Sequence, residues 1–282
     1  MIRSAFLSPL FSVGSVGSVG SVGRVVGVFV ALAVSVSIAG PARGDGAETA
    51  ARIVEKVLDS DPWGLSGAEV SARATVKDEG GRTKTIVFSA RSRRHAPPLS
   101  KSIVRVSAPA DLAGVSFLQI QKKDGDDERF LFLPDLKRSR RIAGNLRSSA
   151  FLGTDFSYAD IDRRDLRDST STMKGEEKLG GFDVFHLDVV PRGDSATYAR
   201  AEMWVRKDNY VPLKINLFAK SGVMLKTLTT EEVRRISGRW FITRSLMVNN
   251  QDRRSTELVL EKVTPSDQIP DDEFTVRNLE KI

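Results

Sequence analysis

Cysteine is absent from this 282-residue chain, and histidine occurs only at His95 and His186. The first absence rules out disulfides, a thiol nucleophile, thiolate metal sites and a lipid-modified cysteine behind a leader. The second leaves no His-Glu-x-x-His pair, and no Gly-x-Ser-x-Gly turn or phosphate-cradling glycine loop occurs beyond residue 44. His186 shares a strand face with Val184 and Asp188, the position of a packed imidazole rather than a general base. The acidic run at 124–128 lacks calcium-loop spacing and reads as a hairpin turn. Asp155, Asp160, Asp162 and Asp165 supply carboxylates, yet no base, nucleophile and oxyanion donor can be assembled from their spacing. The expectation is a protein that is not an enzyme and holds no cofactor and no metal.

Acidic residues are missing from the first 44 positions, which carry early arginines at 3 and 24 and an apolar run at 25–39. That run is shorter than the ~20 residues a spanning helix needs, and small residues follow it. Residues 1–44 are therefore expected to be a signal peptide cleaved between 39 and 45, and 45–282 a single domain exported to the periplasm. Four Ser-Val-Gly repeats at 12–23 are low complexity within this leader. The whole chain carries +7; its first 44 residues hold three of the 43 basic and none of the 36 acidic residues, so the remainder is about +4. So small an excess makes no nucleic-acid footprint. Its two dense clusters, 91–94 and 137–141, read as solvated strand ends or edge protection. About 238 residues can bury a core large enough to stand without disulfides.

What is present is alternation. A helical pattern at 47–60 places Ala50, Ile53, Val54, Val57 and Leu58 on one face and stops before Pro62. From residue 68 the period becomes two, with strands expected at 68–76, 83–93, 100–107, 115–123, 129–133 and 137–142, and again at 171–178, 182–190, 198–206, 211–219, 223–235, 240–250 and 255–263. Short turns join most of these thirteen spans, which makes the sheet antiparallel, and a sheet of about eleven or more strands of that length must curl or split. Segments 117–120, 130–133 and 240–248 are apolar on both faces, so something dry lies against each side. The tail predicts a short strand or helical turn near 271–274.

Between the two runs of strands lies a small, aromatic-rich insert at 140–161. It contains Leu152-Gly-Thr-Asp-Phe-Ser-Tyr158 followed by Ala-Asp-Ile161, in which Thr154 or Asp155 is expected to cap a short helix. This box and its flanking strands, from about Gly46 onward, resemble the LolA-like outer-membrane lipoprotein-sorting proteins, in particular a branch with a Gly-Thr/Ser-Asp-Phe-Ser-Tyr box. The resemblance implies a mainly β fold: a strongly curved, unclosed antiparallel barrel with short helices covering its concave face. It implies a periplasmic carrier of lipoprotein acyl chains or lipids, taking cargo from an inner-membrane transporter to an outer-membrane acceptor. The alternative is an envelope lipid-sensing or protein-binding module, partnered with a lipid exporter.

For such a container the expected cavity lining is Val70, Ala72, Ala74, Phe88 and Phe117, with Phe132, Met203, Leu213, Ile215 and Leu217. The expected lid is Leu146, Phe151, Phe156 and Tyr158, with Arg141 or Arg147 in the place of the arginine that holds relatives closed and with Gly144 and Gly153 as hinges.

Overall fold

A computed structural model describes residues 43–193 and 195–281, so nearly all of the expected leader lies outside the described residues. Helix α1 (Arg43–Ser60) is followed by six strands: β1 (Ala68–Lys77), β2 (Thr83–Ala96), β3 (Leu99–Ala108), β4 (Ser116–Ile120), β5 (Glu128–Leu133) and β6 (Arg138–Arg141). The insert then carries a 3-10 turn (Gly144–Leu146), α2 (Tyr158–Asp162) and α3 (Arg164–Arg167). Seven more strands complete the sheet: β7 (Ser169–Leu179), β8 (Phe182–Pro191), β9 (Arg200–Arg206), β10 (Pro212–Phe218), β11 (Met224–Ile236), β12 (Arg239–Asn249) and β13 (Arg254–Pro265). A 3-10 turn (Asp271–Phe274) and α4 (Val276–Leu279) form the tail.

All described strands belong to one antiparallel sheet of 13, rather than the expected eleven or so, in the order β6-β5-β4-β3-β2-β1-β13-β12-β11-β10-β9-β8-β7. Each of the thirteen spans marked by alternation holds one strand; β4 and β6 are simply shorter than their spans 115–123 and 137–142, at five and four residues. The order is two meanders joined where the first strand pairs with the last, Ala68 opposite Pro265 and Lys77 opposite Ser255. The barrel is unclosed because β6 and β7 stand at its two edges. These strands are successive in the chain, so their connection must travel from one edge to the other. It does so across one face, called the inner face below.

Two other pieces cover the sheet. The apolar stripe of α1, with Ala50, Ile53, Val54, Val57 and Leu58, packs on Leu187, Val189, Met203 and Val205 of β8 and β9. On the other side, Ile269, Phe274 and Leu279 of the tail bury Ile103, Leu118 and Phe132 of β3 to β5. This accounts for the two-sided apolarity of β4 and β5: the insert dries one face and the C-terminal tail the other. In β12 the two-sidedness is a break in parity. Thr230 faces Ser245 and Glu232 faces Arg244, but Val233 faces Ile242, so Thr243 is bulged out. Ile242 and Met247, on opposite sides of a regular strand, are thereby brought to the same side.

Candidate functional site

The inner face of β9 to β12 carries an unbroken cross-strand row. Met203 faces Ile215, Ile215 faces Leu228, and Leu228 faces Met247. Above this row lie Phe156, Ala159 and Ile161 of the insert and Leu166 of α3, while Trp63, Leu65, Leu258 and Leu260 line the flanks. They enclose a cavity of about 180 Å³ within a cleft that holds about 1110 Å³ of atom-free space including its mouth. Asp160, Arg163, Asp165, Arg200, Tyr198 and Ser245 are the charged and hydroxyl side chains at its wall. Such a space, mostly aliphatic with polar groups confined to its wall, suits a hydrocarbon.

The cover is fixed by aromatic packing. Phe117 of β4 meets Phe151 edge-on at 5.2 Å and Tyr158 at 5.3 Å, and Phe151 and Tyr158 are also perpendicular, 5.5 Å apart. Burial raises the titration of the Tyr158 phenol against the pull of nearby Arg140. The helix cap is Ser157, not Thr154 or Asp155. Its hydroxyl accepts the Asp160 N–H at 3.2 Å while the Asp160 carboxylate accepts the Ser157 N–H at 2.7 Å, a reciprocal capping box. Thr154 instead donates its hydroxyl to the Phe151 carbonyl at 2.7 Å, and Asp155 accepts the Thr256 hydroxyl at 2.7 Å, tying the insert to β13. Between Phe151 and Thr154 the chain reverses through left-handed Leu152 and Gly153 (φ 52° and 79°). The second conformation suits glycine and the first is strained.

A buried charge network holds the far end of the cover. Asp162 is fully buried and accepts Arg147 Nε at 3.1 Å, Arg147 Nη2 at 3.1 Å and an Arg129 guanidinium N–H. Arg147 also reaches Asp165 at 2.8 Å, and Arg129 reaches Asp127 at 3.1 Å. Burial alone would lower the Arg147 pKa, but the two carboxylates outweigh it and hold the guanidinium charged. Next to the network, Arg163 ion-pairs with buried Asp61 at 2.9 Å. Asp126 and Asp127 of the acidic turn are thus arginine partners: Asp126 pairs with Arg164 at 2.7 Å. Among the described residues no group of three metal-ligating side chains occurs. His186 stacks on Trp204 at 4.3 Å with Nδ1 3.3 Å from Glu177.

The structure distributes the expected site residues as follows. Met203, Ile215 and Leu217 line the cavity, with Phe156 in its roof. Ala72, Ala74, Phe88 and Phe117 lie in packed clusters beside it, Val70 in one of these and at a separate polar hollow, and Phe132 beneath the C-terminal tail. Leu213 sits at a register break of β10, outside the lining. Phe151 and Tyr158 form the aromatic cluster, Arg147 the charge network, and Leu146 and Arg141 are exposed. Gly144 opens the 3-10 turn. Leu228, Met247, Leu258 and Leu260 line the cavity without having been singled out. Their alternation was visible, but not which face of the sheet they share.

A family model described as "-like: Uncharacterized protein" matches residues 99–281, the larger part of the chain. No curated protein matches the sequence. Among solved structures, a domain described as an outer membrane lipoprotein-sorting protein from Vibrio parahaemolyticus is 25% identical, with a TM-score of 0.77 over 83% of this chain and 100% of that one. A DUF1329 family protein from Desulfovibrio piger is 23% identical, with a TM-score of 0.78 over 83% and 99%. A LolA superfamily protein from Nitrosomonas europaea is 21% identical, with a TM-score of 0.65 over 80% and 97%. The resemblance read from the box thus holds for the whole fold, an unclosed LolA-like barrel.

Proposed function

The chain belongs to the family matched over residues 99–281, and from that premise we propose that it is a periplasmic carrier that shelters acyl chains of lipids or lipoproteins. It ferries them across the envelope toward the outer membrane. The observation that carries this reading is the aliphatic cavity between the Met203–Ile215–Leu228–Met247 row and the Phe156–Ile161 roof. An acyl chain of ~15 methylenes costs ~12 kcal/mol in water, so free transfer is slow and a dry container is what makes it feasible. The similarity to a protein described as lipoprotein-sorting supports the same class of cargo.

At about 180 Å³ the cavity is smaller than the roughly 300–1,000 Å³ sites that hold drug-sized ligands. A full acyl chain therefore enters only if the cover shifts. The aromatic cluster and the Asp162 network sit to one side of the cavity, so the cover stays anchored there while its roof residues yield. Displacement of a fluorescent fatty acid, with native mass spectrometry of gently purified protein, tests the reading. The wild type should bind lipid and Leu217→Trp, which fills the cavity, should not. Equal binding by both, or no binding by the wild type, overturns it.

A further inference from the structure

The two dense basic clusters meet opposite fates in the fold. In the first, Arg91 pairs with Glu69 and Glu273, Arg93 donates to the Ile269 carbonyl and Arg94 to the Asp59 carbonyl and Ser66 hydroxyl. Those arginines are clips for the C-terminal tail and the segment before β1. In the second, Lys137, Arg138, Arg140 and Arg141 are all exposed, and among the described residues none has an ion-paired or hydrogen-bonded side-chain partner. The acidic groups of this edge are Asp135 in the preceding turn, Glu280, and Asp126 and Asp127, which share a hollow with Arg141 but are already paired with Arg164 and Arg129.

β6 is an edge strand paired only with β5, Arg140 opposite Leu131 and Arg141 opposite Phe130. Its cations therefore project to both sides of the sheet rim. Exposed leucines bracket them: Leu136, 55% exposed, just before β6, and Leu146, 37% exposed, just after it. Protection of an edge against sheet-to-sheet pairing explains charges on the strand, but not bare leucines at both ends. Addition of an acidic peptide strand is disfavoured, because the outward N–H of Ser139 is already taken by the Glu280 carboxylate at 3.0 Å.

We propose that the β6 edge, from Leu136 to Leu146, docks on an anionic lipid bilayer: its four unpaired cations meet the headgroups and its flanking leucines enter the headgroup boundary. Cations attracted to anionic lipid, with aliphatic side chains beside them, are the two signals that together give stable but reversible surface binding. The cover begins at Ile142, directly after β6, so docking brings it against the bilayer. This goes beyond the carrier reading and does not depend on it.

The test is flotation of the full chain with phosphatidylglycerol-containing vesicles and with phosphatidylcholine vesicles. The wild type should bind the first far better than the second and lose binding at high salt. Each cation removed should lower partitioning roughly fivefold, so R138E/R140E/R141E should lose on the order of 100-fold or more. Leu136→Ser with Leu146→Ser should weaken the part that salt does not screen. Reversing Arg192 and Lys220, exposed and on other loops, should change little, and Leu217→Trp should still float even if it no longer takes up lipid. All these positions but Leu217 are exposed, and circular dichroism confirms folding of each variant. Wild-type binding that the triple reversal leaves intact overturns the proposal. So does absence of binding to phosphatidylglycerol vesicles at low salt, including the case in which the same arginines capture an acidic protein instead.

Discussion

The inner face of the sheet is closed on one half and hollow on the other, and the same insert reaches over both. Over β4 and its neighbours the insert presents rings: Phe151 and Tyr158 interlock with Phe117 at 5.2 and 5.3 Å, and Phe117 is 1% exposed. Over β9 to β13 it presents Phe156, small Ala159 and Ile161, facing methionines and branched aliphatics across about 180 Å³ of space. Three mutually tilted rings fill a volume with specific geometry, whereas flexible and branched chains facing an alanine do not meet. The difference teaches that anchoring and containment are separate tasks here, given to interleaved side chains of one loop, Phe151, Tyr158 and Asp162 on the one hand and Phe156, Ala159 and Ile161 on the other.

The largest effect should come from the end of the cover where charge is buried. Asp162→Ala leaves Arg129 and Arg147 without their shared carboxylate and should cost about 3–5 kcal/mol in chemical denaturation. Unchanged stability would mean that the network does not hold the cover. Of similar size, Phe117→Ala should cost about 3–5 kcal/mol, whereas Ile215→Ala should fall near the low end for its class, about 2 kcal/mol, because Ile215 already borders empty space. The reverse order would break the contrast between the full and hollow halves.

A smaller effect is expected at the helix that joins them. Ser157→Ala removes one side of the capping box and should cost about 1 kcal/mol by thermal unfolding; Thr154→Val should not mimic it through loss of a cap. The smallest is a pH effect confined to the hollow half. On the outer side of β9, burial pushes Glu202 up, but hydrogen bonds from Lys174 and Arg200 outweigh it and bring its pKa to about 2. A carboxylate depressed on folding contributes stability above its ordinary value of 4.5, and that contribution disappears as pH falls toward 2. Hydrogen exchange should therefore show β7 to β9 loosening first in this range, and Glu202→Gln should flatten the response.

Alternation carried most of the strands. The expected span 182–190 became Phe182–Pro191 and 223–235 became Met224–Ile236. The helix expected to end before Pro62 ends at Ser60. The site was less legible. Phe132 and Ile215 have the same character in sequence, yet one is sealed under the tail and the other faces the cavity. Arg147 and Asp162 lie 15 residues apart with no periodic relation, so their pairing could not be read from spacing. The bulge at Thr243 shifts which residues share a side, and no local signal marks it.

The amino-acid order by itself determined where the chain extends, where it turns and which residues share a strand face, because those preferences act between near neighbours. Only the tertiary structure decided which face became hollow and which basic cluster stayed unpaired. Those outcomes follow from β1 pairing with β13 and from one loop having to cross between opposite edges, contacts made between parts of the chain far apart in sequence.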